Sequence, residues 1–383
     1  MWEPASFATA LPLALLSAAC WGSWSNTAKS STAPFALFYC DYSLGASLTM
    51  ALAYLTLGKL AFTRECVAPI AQSDCLPFSA DKAAAAAAAG AIFNVANILL
   101  VAGIQRAGLA IAFPVGIGIA LVLGTVLTFT IDPAGNNAAL LFGGVGLAFL
   151  AILAMVAASR HHSRTSALAE TPTARLSAAA SDDGNEGDTS RIVTSTERSD
   201  DASGVAREEH SSSSSGSRRR GSRHRRVAAD FAICAAAGVL MALWAPLAAF
   251  AMKSLTPYGS SLLYGGAVLA TSVLLFVPAL MRWPLTGRKS DVSMYLALPW
   301  HEHGYGLAGG AIWAIGTTAN LISGAKLGNA LSYAIGQAAP MVATLWGLLW
   351  YREFAGATNG TIALICAQFA LFVGAVACIA MSK

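Results

Sequence analysis

AIFNVANILLVAGIQRAGLA, residues 91–110, and AIWAIGTTANLISGAKLGNA, residues 311–330, are the two stretches whose comparison decides the fold. A shift of 220 residues lays one on the other without a gap, matching Ala91–Phe93 to Ala311–Trp313, Arg106 to Lys326, Gly108 to Gly328 and Ala110 to Ala330. The same shift brings Trp24 onto Trp244. The turns KSSTAP (Lys29–Pro34) and KSLTP (Lys253–Pro257) correspond with a small change of register. The chain therefore reads as an internal duplication.

Working outward, each copy holds five apolar runs of the roughly 20 residues that a membrane-spanning helix needs. They lie at 6–26, 36–58, 83–104, 108–130 and 138–158, and again at 228–251, 258–281, 304–324, 327–350 and 360–381. Five is odd, so successive copies enter the bilayer from opposite faces. The expected fold is an all-α membrane protein of ten transmembrane helices built as two inverted five-helix repeats, a construction found in secondary transporters, whose solute sites lie near the midplane between repeats. Composition agrees. The 383 residues are 56% hydrophobic and 11% charged, with mean hydropathy +0.58, whereas soluble domains carry about a quarter charged residues. No Lys or Arg precedes Lys29, so the first apolar run reads as helix 1 rather than as a cleavable signal.

The two repeats, 1–158 and 228–383, flank a linker at 159–227. Twelve of the 24 Lys and Arg and ten of the 20 Asp and Glu fall between Arg160 and Arg226. With few large apolar residues to offset ordering entropy, this segment is expected to be disordered. Outside it the basic residues divide evenly. Lys29, Arg106, Arg282, Arg288, Lys289 and Arg352 fall on one side, and Lys59, Arg64, Lys82, Lys253, Lys326 and Lys383 on the other. The linker's Arg cluster breaks the tie and places the linker in the cytosol with both termini outside. The net charge of +4 resides in a segment without interleaved aromatics, so no nucleic-acid partner is expected. Cys66 and Cys75 share one polar loop and either pair or remain free thiols.

An acidic residue inside a span is a functional hypothesis. Asp41, in FYCDYS, is the clearest; the repeat shift sets Ser261 opposite it, so the carboxylate exists in one half only. It is the candidate proton-coupling residue, with interfacial placement or helix capping as the competing reading. For Asp230 and Glu353, nearer the membrane ends, capping is favoured. Asn94, Asn97, Thr317, Thr318, Asn320 and Gln337 can donate and accept hydrogen bonds within the bundle, lining a site or joining helices. Trp21, Trp24 and Trp244 could form flat walls suited to a planar ring, with interface anchoring the alternative. Pro114 and Pro340 interrupt helices 4 and 9 at comparable depth. His301 and His303 read as residues of a solvated loop before helix 8, with metal binding or pH sensing as the competing reading. No catalytic constellation, metal-ligand spacing or nucleotide-binding loop is present, so an enzyme is not expected and neither a cofactor nor a bound metal is called for.

CWGSWSNTAKSS, FYCDYSLG, the stretch from FNVAN to FPVGIGIALVLG, and IGQAAPMVATLWGLLWYRE together resemble the ureide permease family of the drug/metabolite transporter superfamily, close to its glucose, ribose and rhamnose porters. The resemblance covers both repeats and leaves out the linker. It implies proton-coupled uptake of allantoin and oxo-substituted nitrogen heterocycles such as uracil and xanthine, with the lipid bilayer, a proton and a small-molecule solute as partners, and residence in the plasma membrane. Asp41 matches the family's DYS pattern; Gln337, Pro340, Trp346 and Gly347 match its QAAP and WG patterns. The alternatives are a sugar porter and, from another class, a non-transporting receptor or scaffold whose linker is the working part. Deleting residues 165–215 separates the classes: a transporter retains solute uptake in a transport-deficient host, and a scaffold loses its function.

Overall fold

The computed structural model describes residues 1–64, 78–107, 112–182, 212–284 and 289–383. Cys66, Cys75, Gly108, Ala110 and Arg288 lie outside these, so the expectations for them do too. Among the described residues the structure is helical, and its one β pairing is an isolated bridge between Thr63 and Leu255. In chain order the helices are α1 (Phe7–Ser23), α2 (Ser25–Ser30), α3 (Phe35–Leu55), α4 (Ala80–Ala107), α5 (Gly118–Ile131), α6 (Ala138–Asp182), α7 (Ser212–Ala251), α8 (Pro257–Thr271), α9 (Val277–Arg282), α10 (Val292–Leu296), α11 (Trp300–Leu327), α12 (Asn329–Gly336), α13 (Ala339–Leu349) and α14 (Asn359–Ala380). A π-helical turn, Phe113–Ile117, leads into α5, and another, Ser272–Phe276, joins α8 to α9.

Local chemistry sets many of the ends. Pro34 and Pro299 stand at the N-caps of α3 and α11, where a missing N–H costs nothing. Thr256 caps α8 by accepting a hydrogen bond from the Gly259 amide at 2.9 Å, with Pro257 as the first helical residue. α11 stops at Gly328, whose φ of +92° suits a residue without a side chain. The run expected at 327–350 is split: α12 ends at Gly336, and α13 begins with Ala339 and Pro340 in its first turn. α6 and α7 run beyond the expected linker boundaries, to Asp182 and from Ser212. Ala, Arg and Glu in the α6 extension, and Arg in the α7 extension, are good helix formers, so these parts of the segment expected to be disordered are helical.

Among the described residues seven segments are long and apolar enough to cross a bilayer: Phe7–Ser30, Phe35–Leu55, Ala80–Ile104, Ala138–Ser166, Ala228–Ala251, Pro257–Arg282 and Asn359–Ala380. Of the three other expected spans, one is the shorter apolar helix Val115–Ile131. Another, 304–324, carries Gly, Thr and Asn at its core, and the third is the broken α12–α13. The chain is an all-α, multi-pass membrane protein. Its outer surface displays Leu48, Leu52, Leu274, Leu349 and Val373, as a lipid-facing surface should, while amides and hydroxyls turn inward.

The helices pack in matched pairs. α11 lies against α1 and α3; α4 lies against α7 and α8. α5 contacts α7, and α12 and α13 contact α1; α6 packs on α14, α3 on α8 and α5 on α12. Glycines make the closest crossings. A Cβ at Gly310 would collide with the Tyr42 carbonyl, and one at Gly90 with the Tyr264 carbonyl. Phe93 and Trp313, matched in the repeat alignment, stack on each other with centroids 4.6 Å apart and planes at 23°.

Overpacking such a crossing forces backbone to move. Gly310→Ala and Gly90→Ala are each expected to destabilise the protein by about 1–3 kcal/mol. Gly266→Ala, at a helical position with nothing within 4 Å of the new methyl, should be neutral or slightly stabilising, and thermal unfolding in detergent reads the difference.

Candidate functional site

The interior between α1, α3, α4, α7, α8, α11 and α12 is aromatic. Trp313 sits at its middle: one neighbour is Phe93, and the rings of Tyr264 and Tyr42 lie 5.8 and 6.1 Å away. Tyr42 stacks on Tyr39 at 5.3 Å and meets Trp24 at 5.0 Å. Trp244 presents its edge to Trp21, Tyr264 and Tyr333 at 5.6 to 5.9 Å. Trp244 is buried, and Trp21 and Trp24 are half-buried within the bundle.

Amides and hydroxyls thread this cluster. Asn94 accepts from the Tyr39 hydroxyl at 2.6 Å and donates toward Val268 O, Thr271 Oγ1 and Ser272 Oγ, joining α4 to α3 and to the π turn after α8. Asn97 donates to the same Tyr39 oxygen at 3.2 Å. The Trp21 indole N–H donates to Thr317 Oγ1 at 3.1 Å, and Thr318 pairs with Ser261 at 3.0 Å. Asn320 donates to Ser332 O and Ser17 Oγ, joining α11 to α12 and α1. Gln337 is buried at the break between α12 and α13, where its backbone N–H donates to Tyr333 O at 3.1 Å. All nine residues expected to line a solute site thus lie inside the bundle, many of them bonded between helices.

Asp41 stands in the second turn of α3 and is 2% exposed, so it neither caps the helix nor lies at a solvated interface. The Tyr295 hydroxyl of α10 donates to its Oδ1 at 2.5 Å, and His303 Nδ1 of α11 lies 2.8 Å from its Oδ2. With Asp41 as a carboxylate, which only accepts, the proton of this bond belongs to His303 Nδ1, and with Asp41 as the acid it belongs to Oδ2. Burial, and then the bond to Asp41, push the Tyr295 phenol above its ordinary value, which keeps it a donor. The loop expected around His303 is therefore corrected. α11 begins at Trp300, ahead of the expected 304, and winds His303 inward to 15% exposure; His301 stays exposed at 65%. Asp230 and Glu353 also depart from the capping reading: they pair with Arg106 at 2.7 Å and Lys29 at 2.9 Å.

One residue earlier than His303, Glu302 faces the turn between α2 and α3. Its carboxylate accepts from the Ser31 and Thr32 hydroxyls, each at 2.6 Å, and from the Thr32 and Ala33 amides. Burial opposes ionisation, but these donors outweigh it and hold the carboxyl down at about 2.

Tyr39, Tyr42, Phe93, Tyr264, Trp313, Tyr295 and His303 were not among the expected site residues. Phe93 and Trp313 did carry a signal, as partners in the repeat alignment, and Tyr42 adjoins Asp41 in FYCDYS. Among the described residues no cluster of three or more His, Cys, Asp or Glu side chains could hold a metal ion.

A helical, multi-pass membrane body that encloses aromatic and amide side chains and, among the described residues, the buried acids Asp41 and Glu302, defines a permease-type protein. The sequence profile described as ureide permease matches residues 38–382, and the chain belongs to the ureide permease family. It is similar to three Arabidopsis thaliana proteins. Ureide permease 4 is 23% identical, with 100% of this chain and 99% of that protein covered. Ureide permease 5 is 24% identical, covering 88% and 84%, and ureide permease 1 is 22% identical, covering 90% and 88%. The protein is thus a transporter and not an enzyme.

The Glu302 clamp sets an acid limit. Because its folded value lies near 2 against an ordinary 4.5, its contribution to stability is complete above pH 4.5 and is lost as pH falls toward 2. Glu302→Gln should lower the thermal midpoint at neutral pH and flatten its decline between pH 4.5 and 2, as followed by unfolding in detergent.

Proposed function

We propose that this permease is a proton-coupled secondary transporter of ureides and related oxo-substituted nitrogen heterocycles, allantoin, uracil and xanthine among them. The solute binds among Trp21, Trp24, Asn94, Asn97, Trp244, Thr317, Thr318, Asn320 and Gln337, between two inverted five-helix repeats that alternate its access to the two faces. The pairwise packing supports this frame: α11 against α1 and α3 mirrors α4 against α7 and α8, and Phe93 meets its own counterpart Trp313. The names of the three relatives support the solute class.

The observation that carries the coupling is Asp41. Its carboxylate is buried between Tyr295 and His303, close to the end of the bundle that also holds the Lys29–Glu353 and Arg106–Asp230 pairs and the two ends of the linker. No acid stands at the corresponding place in the other half: the 220-residue shift sets Ser261 there, and the glycine crossings, which match Tyr42 to Tyr264, set Leu263. A group that is buried in one access state and wetted in the other changes its proton affinity between them, and an exchangeable neighbour such as His303 gives the proton a route. The linker faces the cytosol and the body resides in the plasma membrane.

Asp41→Asn keeps the shape and the acceptor for Tyr295, turns the contact to His303 into an amide donor that requires the other imidazole tautomer, and cannot ionise. It is expected to abolish accumulation of labelled allantoin or uracil against a gradient while leaving solute exchange, when uptake is compared at two external pH values with glucose as a non-substrate. Undiminished proton-driven uptake by this variant would refute the coupling role.

A further inference from the structure

Among the described residues five tyrosines are fully buried: Tyr39, Tyr42, Tyr258, Tyr264 and Tyr333. Three of them use their hydroxyls within the protein. Tyr39 donates to Asn94, Tyr258 to Trp2 O at 2.8 Å and Tyr333 to Ala120 O at 2.9 Å. The hydroxyls of Tyr42 and Tyr264 have no partner. A buried polar atom left without one is costly and calls for an explanation.

The two exceptions are counterparts. Tyr42 is the eighth residue of α3, and Tyr264 is the eighth residue of α8. Each has its backbone carbonyl overlain by a glycine of the crossing helix, Gly310 on Tyr42 and Gly90 on Tyr264, so neither backbone can withdraw. Both rings lie against Trp313, which places the two hydroxyls in one cluster. α3 and α8 start from opposite ends of the bundle, because the turn before α3 joins Glu302 while the turn before α8 joins Phe62. At 1.5 Å per residue, each tyrosine stands roughly 10 Å in from its own end, so the pair converges on mid-depth from both sides.

We infer that the Tyr42 and Tyr264 hydroxyls are paired hydrogen-bonding anchors for the transported solute, and that the solute class they select is a compact neutral ring carrying two carbonyl oxygens. The inference deepens the proposed transport of ureide-type solutes and rests on it. A phenol donates well to a carbonyl oxygen and can accept from the ring N–H beside it, and no ionised side chain is hydrogen-bonded to either hydroxyl. A site that offers two dry donors rejects an analogue lacking the matching oxygen, because that donor is then left unpaired.

The test uses Tyr42→Phe and Tyr264→Phe in the full-length protein reconstituted into vesicles, with Tyr258→Phe as control because that hydroxyl is committed to Trp2. Each of the first two substitutions should raise KM for allantoin roughly three- to tenfold while leaving the solute-free thermal midpoint unchanged or higher. Tyr258→Phe should keep the wild-type KM. Wild-type KM in both Tyr42→Phe and Tyr264→Phe, with wild-type uptake intact, overturns the anchor assignment alone and leaves the transport reading standing. If the wild type moves no allantoin, that substrate reading fails by itself. The anchors are then decided by thermal shift with a panel of mono- and dicarbonyl nitrogen heterocycles: stabilisation of the wild type by dicarbonyl rings, lost in both phenylalanine variants, supports them, and no stabilisation by any ring overturns them.

Discussion

Two crossings where helix backbone rests on helix backbone, α11 on α3 at Gly310–Tyr42 and α4 on α8 at Gly90–Tyr264, fix everything placed between them. In lipid the hydrophobic effect gives helices little reason to associate, since the acyl chains are as apolar as leucine, and close van der Waals approach through small residues takes over. Once those glycines set the helix separations, Phe93 and Trp313 stack face to face, and Tyr264 stacks on Trp313 as well. The tyrosines carried at the crossings are turned toward the same indole. The aromatic centre follows from the crossings.

Polar side chains obey a second constraint of the bilayer: they must find partners inside. Asn94 illustrates how fully this is met, with one acceptor bond and donors directed at three oxygens on the neighbouring helix and turn. The same side chains therefore hold helices together from within. Asp41 differs in that its partners, Tyr295 and His303, come from elements at one end only.

Much of the frame was legible in the sequence. Apolar runs between polar breaks located the helices to within a few residues at most ends, because hydropathy in a membrane protein is a local property. What escaped had non-local causes. The break at Gln337–Ala338 and the two π turns depend on which neighbours re-satisfy freed backbone groups. His303 lies one residue before the expected start of helix 8, although Pro299 is a helix-start signal close by; its partner Asp41 is 262 residues away, a separation on which composition and spacing are silent. Tyr42 and Tyr264 escape the sequence because nothing in a tyrosine's own letter says whether its hydroxyl will be matched.

The two rims of the bundle are fastened by different forces. At the linker end, Lys29 meets Glu353 and lies over the Tyr351 ring, Arg106 meets Asp230, and Glu302 grips the Ser31–Ala33 turn. At the opposite end much of the seam is neutral: the Arg64 amide to Ser254 O, the Thr256 amide to Phe62 O, and the Thr256 hydroxyl to Ala61 O. Dissolved electrolyte weakens exposed charge pairs and barely touches amide-to-carbonyl bonds. Surrounding electrolyte therefore acts most on the exposed pairs of the linker end, Lys29–Glu353 and Arg106–Asp230, and leaves the amide-to-carbonyl seam of the opposite rim in place.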